Sequence, residues 1–195
     1  MNWKTGVLLA LIALGAYHHF SHRAIKHGAG EIAPNDPIQS STHAADIQLN
    51  GYTLTPLASY TIEARVLSRE NYSIGTEADL SPTDLALGWG PMSDETVLDK
   101  IEISQGNRFF FWRVQEFPIP QHEIEVHAAN THIVPASDLV KRQLSSVKKG
   151  QIVKIKGYLI EAKRPDGWHW TSSLTREDTG NGACEVLYAT ELYAR

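Results

Sequence analysis

The hydrophobic positions of this chain fall into short alternating runs rather than long amphipathic stretches. Between residues 60 and 69, Tyr60, Ile62, Ala64 and Val66 alternate with Thr61, Glu63, Arg65 and Leu67, the period of two that marks a half-buried strand. Residues 151–162 repeat the pattern: Val153, Ile155 and Leu159 share one face, and Lys154, Lys156 and Tyr158 share the other. Gly157 interrupts that run, and a glycine inside a strand marks a bulge or a bend of the sheet. Two turn signals follow, Pro165-Asp166-Gly167 and Asn181-Gly182, whose glycines supply the positive φ of tight hairpins. Residues 148–193 therefore predict a three-stranded antiparallel meander.

Strands are also predicted at residues 52–57, 101–105 and 108–114. The last holds Phe109, Phe110, Phe111 and Trp112 in succession, a run without polar alternation that predicts cover on both faces. Helices are few and short. Ser81-Pro82-Thr83-Asp84 offers a cap serine, a proline at the first helical position and an acid at the third, with Gly88 as the stop. Ser93-Asp94-Glu95 opens another helix that ends near Lys100. Residues 121–129 fit either state, because Ile124, Val126 and Ala128 keep a period of two while the composition suits a helix. Ser137 caps a clearer helix, with Leu139, Val140, Leu144 and Val147 on one apolar face and Lys148-Lys149-Gly150 as its stop.

Ahead of residue 51 the pattern changes. Residues 7–16 are an apolar run behind Lys4, followed by His18, His19, His22, Arg23, Lys26 and His27. Ala13-Leu14-Gly15 would serve as a signal cleavage site, but a cut there leaves an apolar core of residues 7–12 alone. A helix over residues 5–20 would span about 24 Å at about 1.5 Å per residue, with Trp3 and Tyr17 as interfacial anchors. We read residues 1–22 as an uncleaved membrane anchor, 23–50 as a flexible tether of Gly, Pro, Ser and Thr, and 51–195 as a single β-rich globular domain. The cations on either side of the apolar run nearly balance. The short leader is taken to stay inside, which puts the domain outside the cytoplasm.

Composition narrows the chemistry. With one cysteine, Cys184, the chain has no intrachain disulfide and no cysteine-based zinc ribbon. Cys184 with His169 on a neighbouring predicted strand is one catalytic candidate, the bland alternative being a small buried strand residue. A polar site at Ser173, Arg176 and Asp178 is another, with bracing of the hairpin as its alternative. His127 and His132 are the metal candidates, near Asn130. His122-Glu123-Ile124-Glu125-Val126-His127 is no zincin motif, since a spacing of five turns the second histidine about 140° away on a helix. Neither GxxxxGK[ST] nor GxGxxG occurs, and no cofactor is expected. Charge is polarised: residues 141–164 hold eight basic residues and one acid, whereas the rest of 51–195 holds seven basic and eighteen acidic. Lys154, Lys156 and Tyr158, with Trp168 and Trp170 on the next strand, make a candidate ligand-binding face. Such a face suits anionic lipid, a cell-wall polymer or, if the domain is cytoplasmic, single-stranded nucleic acid; a solvated face is the plain alternative.

Two resemblances extend this reading. The stretch GQIVKIKGYLIEA resembles a strand of an OB-like barrel, which implies an α+β, β-rich domain with an OB-like antiparallel meander or partial barrel and a few short helices. The segments SPTDLALGWGPMSD, NTHIVPA and GWHWTSSLTREDTGNGACE resemble a group of uncharacterised bacterial membrane-anchored proteins. That resemblance implies a membrane-anchored bacterial protein and carries no catalytic residue; with the orientation taken above, the expected place is the bacterial inner membrane, single-pass, with the domain periplasmic or otherwise extracytoplasmic. The expected function is a membrane-anchored binding or assembly module of the envelope, partnered by the membrane through residues 5–20 and by lipid, polymer or protein. The alternatives are a hydrolase using Cys184 with a histidine or the Ser173, Arg176, Asp178 site, and a cytoplasm-facing nucleic-acid module.

Overall fold

A computed structural model describes residues 3, 5–9, 24–178, 180 and 182–195. Among them no helix is long and apolar enough to cross a membrane, and most of the expected anchor over residues 1–22 lies outside them. Strand dominates, with short helices between: β1 (Ile38–Ser40), β2 (Ile47–Leu49), β3 (Tyr52–Asn71), α1 (Thr76–Leu80), β4 (Thr83–Gly88), a 3-10 turn (Gly90–Ser93) and α2 (Glu95–Leu98). There follow β5 (Ile101–Gly106), β6 (Phe109–Val114), α3 (Gln121–Val126), β7 (Ala128–Pro135), α4 (Asp138–Ser146), β8 (Ile152–Lys163), β9 (His169–Thr171) and β10 (Glu185–Ala194). The domain is β-rich α+β.

Five strands close on themselves. β3 pairs with β4, β4 with β7, β7 with β10, β10 with β8, and β8 returns to β3. All contacts are antiparallel except β7 with β10, which is parallel. β3 makes closure possible because, at 20 residues, it would run about 66 Å if straight. It bends instead at register shifts between Pro56 and Ala58 and between Val66 and Ser68, pairing first with β8 and then with β4. Gly157 sits where β8 passes closest to β10; a Cβ there would lie 1.9 Å from the Tyr188 carbonyl oxygen.

The barrel interior is filled by alternate residues such as Ile62, Ala64, Leu85, Leu87, Ile133, Ile155, Leu159 and Leu187, with Val140 and Leu144 of α4 plugging one end. Two further clusters coat the outside. One gathers Tyr52, Leu54, Val134 and Ile160 under Trp168 and Trp170. The other sets Ala86, Met92 and Ile124 beneath Phe110 and Trp112 of the β5–β6 hairpin.

Several local expectations are corrected. The region 148–193 is not a meander in chain order: β9 and β10 lie one after the other along the same edge of β8, β9 beside residues 161–163 and β10 beside residues 153–159, because β3 occupies the other edge and β10 closes the ring onto β7. The cap-like Ser81-Pro82 precedes strand β4 rather than a helix, since Leu85 and Leu87 fill the barrel while Ala86 lies under the hairpin, and burial on both faces overrides a local signal. The aromatic run of β6 is not covered on both sides; Phe110 and Trp112 point inward and Phe111 is 53% exposed. Residues 121–129 resolve into α3 followed by β7. In α4, Ser137 accepts from the Val140 N–H at 3.3 Å as a cap should, but Leu139 points to solvent.

The segment expected as a tether lies along the barrel. β1 and β2 both pair with β3, and upstream of them the Ile25 N–H donates to the Lys149 carbonyl at 2.9 Å. The His27 N–H reaches Glu95, the Ile32 and Ala33 N–H groups share the Ser93 hydroxyl, and the Trp89 indole donates to Asp36 at 3.1 Å. Polar composition alone did not distinguish a free linker from a strap whose backbone groups find partners on the barrel.

Candidate functional site

The outer face of β4 and β7 carries polar side chains that the fold buries. Their register sets Asp84 opposite His132 and Ala86 opposite Asn130. Because Leu85, Leu87, Ala129 and Ile133 point into the barrel, strand alternation sends these polar residues outward. The β5–β6 hairpin covers Asp84 and Asn130 and Trp170 covers His132, so an acid, an amide and an imidazole are buried together.

The hairpin is clipped down at its tip. Asn107 and Arg108 form the turn with φ of 51° and 69°, a conformation that favours glycine at the second position. An arginine held there costs about 1–2 kcal/mol of backbone strain, offset by what its side chain meets. Arg108 Nη1 donates to Asp84 Oδ1 at 2.7 Å, and the guanidinium lies 3.8 Å from the Tyr72 ring centroid. Its backbone N–H donates to the Tyr72 hydroxyl oxygen, and its carbonyl accepts from Asn130 Nδ2 at 2.8 Å. His132 Nδ1 lies 2.9 Å from Asp84 Oδ1, near enough for an ion pair if the ring is protonated, yet off the geometry of a hydrogen bond. The imidazole rests against Trp170 with centroids 4.5 Å apart. Burial raises the Tyr72 phenol above its ordinary range.

Beside this cluster a cleft of about 270 Å³ opens between β6 and the loop into β10, walled by Phe109 and Phe111 and lined by Asn130, Asp178, Ala183 and Cys184. The Cys184 sulfur is 3.7 Å from Asn130 Nδ2 and 3.8 Å from the Arg108 carbonyl oxygen. Burial pushes the thiol upward, nearby Asp84 and Asp178 add to that, and the Asn130 contact opposes it. The cysteine is therefore held as a neutral thiol. His169 does not flank it; it is exposed on β9 opposite Lys163.

Ser173, Arg176 and Asp178 separate into two groups. The Ser173 hydroxyl donates to Asp178 Oδ2 at 2.6 Å and accepts from the Thr175 N–H, which shapes the loop. Arg176 turns the other way, pairing with Glu185, which is buried. Its guanidinium stands 5.8 Å from the Tyr60 ring. Burial raises the Tyr60 phenol, partly offset by Arg176. Tyr60 Oη, Thr131 Oγ1 and Glu185 Oε2 are buried without a partner.

The remaining candidates also fall in different places. Lys154 and Lys156 are exposed, but Lys156 pairs with Glu191 at 3.3 Å and Lys154 stands opposite Glu63. Tyr158, Trp168 and Trp170 are half-buried members of the outer coat, with Trp168 packed edge-on to Tyr52 at 5.5 Å. His127 closes α3, its Nδ1 2.9 Å from the Glu123 carbonyl, while His132 is buried against Trp170 of β9. Among the described residues no three His, Cys, Asp or Glu side chains gather to hold a metal.

Sequence reasoning passed over Asp84, Tyr72 and Arg108. Signals point to two of them: an acid, Asp84, heading the apolar run Leu85-Ala86-Leu87, and Arg108 after Asn107 where a tight turn prefers glycine; Tyr72 carries none. No protein-family model, curated protein or solved structure matches this chain.

Proposed function

We propose that this chain is a membrane-anchored module of the bacterial envelope whose OB-like barrel binds a partner group without transforming it. The OB-like assignment is supported by the ring of strands, by the single parallel contact between β7 and β10, and by α4 lying between β7 and β8. Such barrels take ligands on the face of their second and third strands, which here are β4 and β7. The observation that carries the reading is the cleft at the β7 side of that face, between β6 and the loop into β10, which has aromatic walls and a floor of Asn130 and a neutral thiol. Typical small-molecule pockets enclose about 300–1,000 Å³. A smaller cleft suits one ring or side chain presented by a larger partner, as an assembly module requires. The apolar run of residues 7–16 supplies the anchor, and the domain is placed outside the cytoplasm.

Alkylation of Cys184 separates binding from thiol catalysis. With its ionisation raised, the thiol should react with iodoacetamide very slowly at pH 7 and speed up only beyond the ordinary thiol range. Rapid, stoichiometric labelling at pH 7 would contradict the binding reading in favour of a nucleophilic cysteine.

A further inference from the structure

The outward side of α4 carries Leu139, Lys141, Arg142, Ser145 and Ser146, and the chain continues into exposed Lys148 and Lys149. Val140, Leu144 and Val147 are spent on the barrel, so this side has no other packing role. Among the described residues none of its four cations forms an ion pair, whereas Lys156, Lys163, Arg164 and Arg195 each do. Leu139, 57% exposed, stands among these cations, and the only acid of the helix is Asp138 in its first turn.

The same pole is where the chain arrives from its N-terminal segment. The Ile25 N–H donates to the Lys149 carbonyl, and His27 Nε2 lies 2.7 Å from the Gly150 carbonyl oxygen. Gly150 has φ of 91°, and a Cβ on it would stand 1.9 Å from the Ile25 carbonyl oxygen, so the strap crosses directly over this turn. Four residues lie between Phe20 and Ile25, a reach of about 18 Å at most over the five steps. An anchor ending near Phe20 therefore holds the α4 pole, and not the cleft on the β4–β7 face, close to the bilayer.

We infer that the exposed face of α4, with Lys148 and Lys149, docks on anionic phospholipid headgroups and fixes the orientation of the barrel on the membrane. The inference rests on the anchor reading. Four uncompensated cations match a negative surface, and a lone leucine among them suits the headgroup boundary. Docking would hold the barrel upright and leave the cleft free for its partner.

The test uses the full chain in vesicles of phosphatidylcholine alone or mixed with phosphatidylglycerol, with a fluorophore on Ser145→Cys in a Cys184→Ala background and a quencher on the lipid headgroups. We expect the chain to float with both vesicles, and the probe to be quenched strongly only with phosphatidylglycerol. High salt should remove that quenching, because surface charge is screened within about 8 Å at physiological ionic strength. Reversing the four cations to glutamate (K141E, R142E, K148E, K149E) should remove it too without loss of flotation; the salt series reads the same point if that variant folds poorly. Flotation with quenching indifferent to lipid charge and salt would overturn the docking face and leave the anchor standing. Shielding of the probe by a single-stranded oligonucleotide but not by phosphatidylglycerol would overturn it as well. Failure to float with either vesicle would bring down the anchor reading, and the docking face with it.

Discussion

Two walls of one barrel, β8 and β4, meet their surroundings in opposite ways. β8 buries Val153, Ile155 and Leu159 inside and turns Lys154 and Lys156 to water. β4 buries Leu85 and Leu87 inside but has Asp84, Ala86 and Gly88 buried on the other side too, all six of its residues being inaccessible. A charge on the first wall is solvated and costs little to keep. On the second it persists only because Arg108 is folded back over it on a strained turn. The difference locates where the sequence has given up packing freedom, and it is beside the cleft.

Breaking the Asp84–Arg108 pair should have the largest effect. Arg108→Met leaves a buried carboxylate facing His132 alone, and removal of one partner of a buried pair costs about 3–5 kcal/mol; the lower end applies because Arg108 keeps 18% of its side-chain surface exposed. Adding Asp84→Asn should restore much of the loss in denaturant titrations. A loss no larger than that of a surface substitution would mean the hairpin is held by Phe110 and Trp112 and not by its tip.

The strap lies between these extremes. Glu95 is pulled below its ordinary range: burial raises it, but the His27 N–H, Arg65 and Lys26 together outweigh that. Since its folded pKa is depressed, its contribution is present above the unfolded carboxylate range near pH 4.5 and is lost as pH falls through the lower folded value. Hydrogen exchange of the residue 25–33 amides should accelerate on acidification beyond the intrinsic trend, and Glu95→Gln should abolish that extra dependence. Identical profiles for both proteins would assign the strap's hold to Ser93 and the backbone contacts.

On the solvated wall the effect should be smallest. Lys156→Ala removes an exposed pair with Glu191, and such pairs contribute about 0–1 kcal/mol. A larger cost would show that the outward face of β8 is not simply wet.

The same contrast explains what could be read in advance. Strands β3 and β8 are legible because one face is wet and alternation survives, and Gly157, read as a bulge or bend, lies where β10 shifts register between Ala189 and Glu191. β4 reads as a helix in the sequence because burial on both sides erases the period of two and leaves only a misleading cap at Ser81. The strap reads as a tether because most of its own contributions to the hold are backbone donors and acceptors, on which its side-chain composition is silent. Cys184 stands out as the only thiol, but its neighbours, Asn130 on β7 and the Arg108 carbonyl in a hairpin 76 residues upstream, are brought to it by the fold. The cation surplus of residues 141–164 was visible, yet which cations remain unpaired depends on Glu191 and Glu161 reaching the lysines of β8 and not those beside α4.

An envelope module requires the domain to lie beyond the cytoplasm, and a reporter active only there, fused after Arg195, tests that requirement most directly. Arg195 is accessible at the end of β10, where its backbone exchanges hydrogen bonds with Ile152, so the fusion extends from a fixed point on the barrel. The account predicts an active reporter in cells. An inactive reporter on an intact, expressed fusion would contradict it, turning the barrel inward and making a cytoplasmic polyanion the partner to seek.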